Sequence, residues 1–214
     1  MRLKQLQKLV ARHGLMVLGS HASDEGVRVL VGNAGSDFWG RFTASAEYSD
    51  GAGNPLDRWS RRIGLEVPGQ LGARVVFPFD GPPYPPFLEW ASQTGQVAPS
   101  PITIHIHKEQ GLWHAYRFAL VIDSDIVDTC SATHTVSPCE GCSQKPCLTA
   151  CPVNAFDGGT YDVHTCMDYL RSNQDSDCRH LGCAARRACP VNEHNQYLPD
   201  HAQFHMNAFI GQDL

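Results

Sequence analysis

No apolar run in this 214-residue chain approaches the eighteen residues that a membrane-spanning helix requires, so no span is expected. Basic residues do not dominate either: Lys and Arg number 17 against 22 Asp and Glu, for a net charge of −5. That balance leaves no cationic footprint for nucleic acid. The opening Met1-Arg-Leu-Lys-Gln-Leu-Gln-Lys is charged and amphipathic and has no apolar core of a secretory leader, so a cytoplasmic protein is expected. The full Gly-x-Gly-x-x-Gly run of a dinucleotide site and the lysine of a P-loop are missing too, which removes the strongest nucleotide signals.

Cysteine is what the chain does have. Eight of nine cysteines form one array, C139-EG-C142-SQKP-C147-LTA-C151-P, a lone Cys166, then C178-RHLG-C183-AARRA-C189-P. A cubane iron–sulfur cluster takes four soft thiolates, and in the bacterial two-cluster run C-x2-C-x2-C-x3-C-P the fourth cysteine serves the other cluster. By that logic Cys139, Cys142, Cys147 and Cys189 hold one [4Fe–4S] cluster. Cys151, Cys166, Cys178 and Cys183 hold the second. Two spacings depart from the usual run: four residues separate Cys142 from Cys147, and the last group has gaps of four and five. A pair of zinc sites is the alternative, although zinc usually joins two short Cys-x2-4-Cys knuckles across a longer spacer. Disulfides fit poorly, because a cytosolic chain with many thiols reads as metal-binding. Cys130 is left over and is expected to be a buried, inert thiol.

The first 128 residues read as an α+β domain. Leu3, Leu6, Leu9 and Val10 share one helical face that ends near Gly14. Strand-like runs begin at Val27, Arg74, Ile102 and His114, and Asn54-Pro55 opens a helix with an asparagine cap. Asp80-Gly-Pro-Pro-Tyr-Pro-Pro is a stiff turn before a short helix at Phe87. Several features invite a functional reading. Gly32-Asn-Ala-Gly-Ser lies between a strand and a helix, where N–H groups hold phosphate, yet a plain turn explains it better. His105 and His107 share a strand face and read as a polar solvent face rather than metal ligands. Arg58, Arg61 and Arg62 around Trp59 read as a solvated helix face, with an anion site as the alternative. In Gly111-Leu-Trp-His-Ala-Tyr-Arg117, the residues Trp113, Tyr116 and Arg117 suit the face of a large cofactor; ordinary hairpin residues are the bland alternative.

The stretch from Cys139 to Tyr197 resembles the ferredoxin-like domain of epoxyqueuosine reductases and reductive dehalogenases. The likeness lies in Cys-Pro and an apolar-rich segment, then Tyr161-Asp-Val-His-Thr-Cys166-Met-Asp-Tyr-Leu, and the closing Cys189-Pro-Val-Asn. More faintly, Ile104-His-Ile-His-Lys-Glu-Gln-Gly-Leu-Trp-His-Ala-Tyr-Arg is similar to a strand–turn–strand of cobalamin-trafficking, decyanating proteins. Together these imply a nitroreductase-like cofactor domain over 1–128 and a ferredoxin-like dicluster domain over 129–197; the tail over 198–214, with His201 and His205, is expected to fray, with packing on a partner as the alternative. They imply electron transfer from a flavodoxin or ferredoxin donor, through two [4Fe–4S] clusters, to cobalamin or a small substrate near Trp113, Tyr116 and Arg117. The alternative is a non-catalytic electron carrier whose N-terminal domain docks a partner. A homodimer is also implied by the nitroreductase likeness. The chain departs from the families in its short N-terminal part and in lacking the Asp-Tyr-His segment that carries the reductases' acid, so no catalytic residue transfers. The Asp-x-His-x-x-Gly of corrinoid proteins with a histidine lower ligand is missing as well.

Overall fold

A computed structural model describes residues 3–67, 72–123, 136–157 and 159–211. Its architecture is α+β, as expected. The chain divides into two compact units: the described residues of Met1–Gln96 with His114–Thr135, and those of Val97–Trp113 with Val136–Leu214. Cys130 lies outside the described residues.

In the first unit, α1 (Leu3–Ala11) is followed by the antiparallel strands β1 (Met16–Ser23) and β2 (Gly26–Ala34). Then come α2 (Trp39–Thr43), α3 (Ala46–Ser49), α4 (Pro55–Glu66), β3 (Arg74–Val76) and α5 (Phe87–Gln93). Strands β4 (Val97–Pro99) and β5 (His105–His107) belong to the other unit, and β6 (His114–Ile122) returns to this one. The sheet runs β1-β2-β6-β3 and every pairing in it is antiparallel. Its two central strands are buried along most of their length, which is why β6 reads as a nearly continuous apolar run from Phe118 to Ile122 rather than an alternation. At Gly32 a side chain would strike the Ala115 carbonyl across the β2–β6 pairing, so the backbones approach there only because glycine is present.

Helices cover this sheet with aromatic weight. Phe38, Phe42 and Trp59 are all but fully buried, and the Phe38 and Trp59 ring centroids lie 5.6 Å apart. Each such burial contributes about 2–3 kcal/mol. Leu6 and Val10 are the fully buried pair on α1, in keeping with the apolar face read there. Pro55 opens α4, but Asn54 adopts the left-handed conformation (φ 51°) and its side chain makes no cap bond, so the expected asparagine cap is corrected. Strand β1 went unseen in the sequence, since Gly19, Ser20 and His21 dilute its β-formers.

The second unit assembles from two stretches that are far apart in sequence. The β4–β5 pair leads into a turn at Lys108–Gly111. After residue 136 come α6 (Pro146–Thr149), the small pair β7 (Phe156–Asp157) and β8 (Thr160–Tyr161), and α7 (Val163–Ser172). Then follow α8 (Asp177–His180), α9 (Ala184–Arg187), a 3-10 turn over Glu193–Asn195, and α10 (Pro199–Ile210). Ile102, Ile106 and Leu112 are buried in one core with Cys147, Cys151, Ala155, Ala185 and Cys189. Segment 97–113 therefore supplies apolar cover to the cysteine loops, whereas the sequence boundary at 128 had assigned it to the N-terminal domain. Gly111 fastens this cover. Its φ is +59°, and any side chain would collide with the carbonyl of Val191, two residues past Cys189. Asn192 donates to the Glu109 carbonyl, and Asn195 to Gln110 Oε1 at 2.8 Å.

The fraying expected of the tail is corrected. α10 is a twelve-residue helix that packs on α8 and α7, with His201 and Ala202 buried. Proline at its first position fits a helix start, because the missing N–H has no helical partner there.

Candidate metal centre

Four cysteines of the array line a single cavity. Cys139, Cys142, Cys147 and Cys189 surround a small cavity of about 20 Å³ closed by Pro101, Pro138, Pro146, Pro190 and Val191, with Lys145 as the cation among its lining residues. Local turns present the first two: Cys139 N–H donates to Ser137 Oγ at 3.2 Å, and Cys142 N–H to the Cys139 carbonyl at 3.3 Å. Lys145 then turns left-handed (φ 41°) and Pro146 starts α6, which sets Cys147 inward at its second position. Cys189 arrives from the end of α9, which packs against α6. Cys147 and Cys189 are buried, and Cys139 and Cys142 half-buried. Burial pushes the Cys147 thiol up, and the charges of Cys189, Cys139 and Cys142 push it further. Cys189 is raised by burial, then by Cys139 and Cys142. The four thiols thus act on one another as a set.

The other four behave as a second set. Burial raises Cys166, which also feels Cys151 and Cys178. Cys183 is raised by burial and feels Cys178 and Cys166. Cys166 lies on the first turn of α7, Cys178 on α8, and Cys183 just before α9. Ala155 N–H donates to Cys151 Sγ at 3.3 Å, and the N–H groups of Arg186 and Ala185 donate to Cys183. Burial pushes the Tyr161 phenol above the usual tyrosine range, with Cys166 adding to the effect. The two sets coincide with the ligand groups drawn from the spacing.

Two groups of four soft thiolates, largely out of water and with N–H groups aimed at sulfur, are the donor set that an iron–sulfur cluster takes. Among the described residues, no group of three or more His, Cys, Asp or Glu closes on one point as a single-ion site. A cubane asks for a wider arrangement, since each thiolate binds a different iron.

The remaining candidates are accounted for individually. Trp113 is 2% exposed and belongs to the second unit, whereas Tyr116 and Arg117 belong to the first. Arg117 is buried, donates from Nε to Asn33 Oδ1 at 3.0 Å, and lies over the Phe38 ring. The Tyr116 hydroxyl is buried without a hydrogen-bond partner among the described residues, its ring beside Phe87 and His114. A corrin needs accessible side-chain area, and the buried Trp113 and Arg117 do not offer it. In the Gly32–Ser36 turn, Asn33 Nδ2 donates to the Gly35 carbonyl at 3.1 Å, so the loop is closed by its own side chain. His107 departs from the solvent-face expectation: it is 3% exposed, and its Nδ1 accepts the Glu109 and Gln110 N–H groups at 3.1 and 3.2 Å. His105 is half-buried, with no partner on Nδ1 among the described residues. The arginines of α4 are paired with carboxylates: Arg58 with Asp50 (2.6 Å), Arg61 with Asp80 (2.5 Å) and Arg62 with Glu47 (2.6 Å).

One arrangement escaped sequence reasoning altogether. The Arg186 guanidinium lies 4.5 Å from the ring centroids of both Trp113 and Tyr197, and donates from Nε and an η nitrogen to the Leu112 carbonyl at 3.0 and 2.6 Å. Tyr197 stacks on His201 at 3.9 Å, and His201 and His205 share a hydrogen bond between Nε2 atoms at 3.1 Å. The i, i+4 spacing of the two histidines was the available signal. The contact partner of Arg186 is 74 residues away, and nothing local announces it.

Comparison with known proteins adds no relative: no family model, no curated protein and no solved structure matches this chain.

Proposed function

We propose that this chain binds two [4Fe–4S] clusters and serves as an electron-transfer protein, with a ferredoxin-like second unit and a first unit that docks its partner. The observation that carries this reading is the cavity lined by Cys139, Cys142, Cys147 and Cys189, which brings Cys189 to three cysteines at least 42 positions earlier. Such clusters, when bound, take up and release single electrons. The chain's own contribution is to hold the thiolates, direct N–H groups at them and exclude water. The raised thiols mean that ligation must displace protons, so assembly releases acid. An open cleft beside the first set, lined by Pro99, Pro101, Ser137, Glu140, Ser143 and Lys145, reaches Cys139 and Cys142. That exposure suits exchange with a protein donor such as a flavodoxin or ferredoxin.

The carrier reading is preferred over a corrinoid reductase because Trp113 and Arg117 are buried and Tyr116 is half-buried beside Phe87. The test is Cys139→Ala in anaerobically reconstituted protein. It is expected to lose about half of the iron and sulfide while one cluster signal persists in the reduced electron paramagnetic resonance spectrum. Full retention of both clusters would contradict the ligand assignment.

A further inference from the structure

Cys139 and Cys142 differ from the other cysteines of the first set in what they face. Both line the small inner cavity with Cys147 and Cys189, and both also line the open cleft outside it. The inner cavity, at about 20 Å³, has room for about one water molecule. The cleft offers about 630 Å³, the room of a small-molecule site. A reagent the size of a tripeptide therefore reaches Cys139 and Cys142, whereas Cys147 and Cys189 are buried and line only the inner cavity. The two reachable thiols also share one turn. Cys142 N–H donates to the Cys139 carbonyl at 3.3 Å, the bond that holds the ends of a β-turn within about 7 Å between α-carbons. A disulfide spans about 4.4–6.8 Å between α-carbons, so closure needs side-chain rotation and little backbone movement. Three more bonds hold the turn. Glu140 N–H donates to the Ser137 carbonyl at 3.0 Å, Cys139 N–H to Ser137 Oγ at 3.2 Å, and Ser137 N–H to Glu140 Oε1 at 3.4 Å. The last of these engages the cleft's carboxylate, and exposed Lys145 supplies the cleft's cation. The second set has no such pair: Cys151 and Cys178 are buried, and Cys166 and Cys183 come from different elements.

We propose that Cys139 and Cys142 form a thiol–disulfide exchange site for small anionic disulfides, and that its closure gates assembly of the first centre. One thiolate attacks a sulfur of the disulfide RSSR, which breaks its S–S bond, leaves RS on the protein and releases RS⁻. The second thiolate attacks the protein-bound sulfur of this mixed disulfide, forming the Cys139–Cys142 bond and expelling the other RS⁻. The pair loses two electrons, RSSR is reduced to two thiols, and the two cysteine protons pass to them. Two of the four ligands of the first centre are then withdrawn, and those of the second are untouched. This consequence rests on the two-cluster reading; the exchange itself does not. The test uses the full chain, stripped of iron anaerobically by a chelator and equilibrated with oxidised and reduced glutathione over a range of ratios. Free thiols are then alkylated and the disulfides mapped by peptide mass. The first disulfide to form is Cys139–Cys142. Loading from a cluster-carrying scaffold protein, without added thiol, then yields about half the iron and sulfide of a reduced control, and dithiothreitol restores the rest. Cys142→Ser accumulates a glutathione adduct on Cys139, because no second thiol resolves it. Cys189→Ser still closes the pair, although it too removes a ligand of the first centre. Another pair closing first, an adduct that persists on the wild-type turn, or full cluster content after oxidation would overturn the proposal. A reduced control that assembles fewer than two clusters would instead overturn the reading beneath it, with the mapped disulfide standing on its own.

Discussion

Replacing Arg186 by methionine tests whether the second unit is held together by contacts between its distant stretches. The guanidinium donates twice to the Leu112 carbonyl and lies against the rings of both Trp113 and Tyr197. A hydrogen bond from a charged group contributes roughly 1.5–3 kcal/mol. The two ring contacts add about 0.5–1 kcal/mol each, and methionine keeps part of the stem's packing. The terms share atoms and do not simply add, so the expected loss is about 3 kcal/mol, confined to the second unit. At about 1.4 kcal/mol per factor of ten, the open form of that unit becomes roughly 100-fold more populated. The assay is cluster bleaching by an iron chelator under anaerobic conditions, read from the visible absorbance, with chelator in excess so that loss tracks opening. Arg187→Met is the matched control, since Arg187 makes a single bond to the Gly182 carbonyl at 3.2 Å. Its cost is about 1.5 kcal/mol, or roughly ten-fold faster bleaching. If Arg186→Met bleached no more than about three-fold faster than wild type, the reasoning that couples the Trp113 segment to the cysteine loops would be refuted.

Two further outcomes follow from the geometry. Gly111→Ala places a side chain against the Val191 carbonyl at a φ of +59°, and it is expected to cost at least about 2 kcal/mol and to lower the thermal midpoint of the second unit only. The Arg62 guanidinium beside Glu47 holds that carboxyl down at about 2, against an ordinary value of 4.5. Its stabilisation is therefore complete above pH 4.5 and is lost as pH falls toward 2. Arg62 is 46% exposed, so solvent screening leaves about 1 kcal/mol of this, which should disappear from the acid limb of the wild-type stability curve in Glu47→Gln. An unchanged acid limb in the variant would contradict the pairing.

The grouping of the cysteines was legible in the sequence because most of it is local: short gaps between thiols and two Cys-Pro stops limit what the loops can wrap. The two sets that act on each other in the structure are the groups the spacing had suggested. Strand β6 was equally legible, since an unbroken run from Phe118 to Ile122 has few other uses. What failed was partner choice. The period-two pattern at Ile102–His107 announced a strand but not that its apolar face covers Cys147 and Cys189 some 40 to 90 residues on, because alternation specifies a buried face and not its occupant. His107 looked solvent-facing for the same reason; its role as acceptor for the following turn is fixed by the bend at Gly111. The arginines of α4 found carboxylates up to 19 residues away, and α10 was dismissed as a tail because its polar face hides how deeply His201 is seated.

The most direct test of the central claim is the iron and acid-labile sulfide content of anaerobically reconstituted wild-type protein, measured together with zinc and with the reduced electron paramagnetic resonance spectrum. Two clusters on eight thiolates predict about eight iron and eight sulfide per chain, negligible zinc, and a spectrum with two interacting signals. Two tightly held zinc ions per chain, with no sulfide, would contradict the account and leave the cysteine unit a structural metal fold.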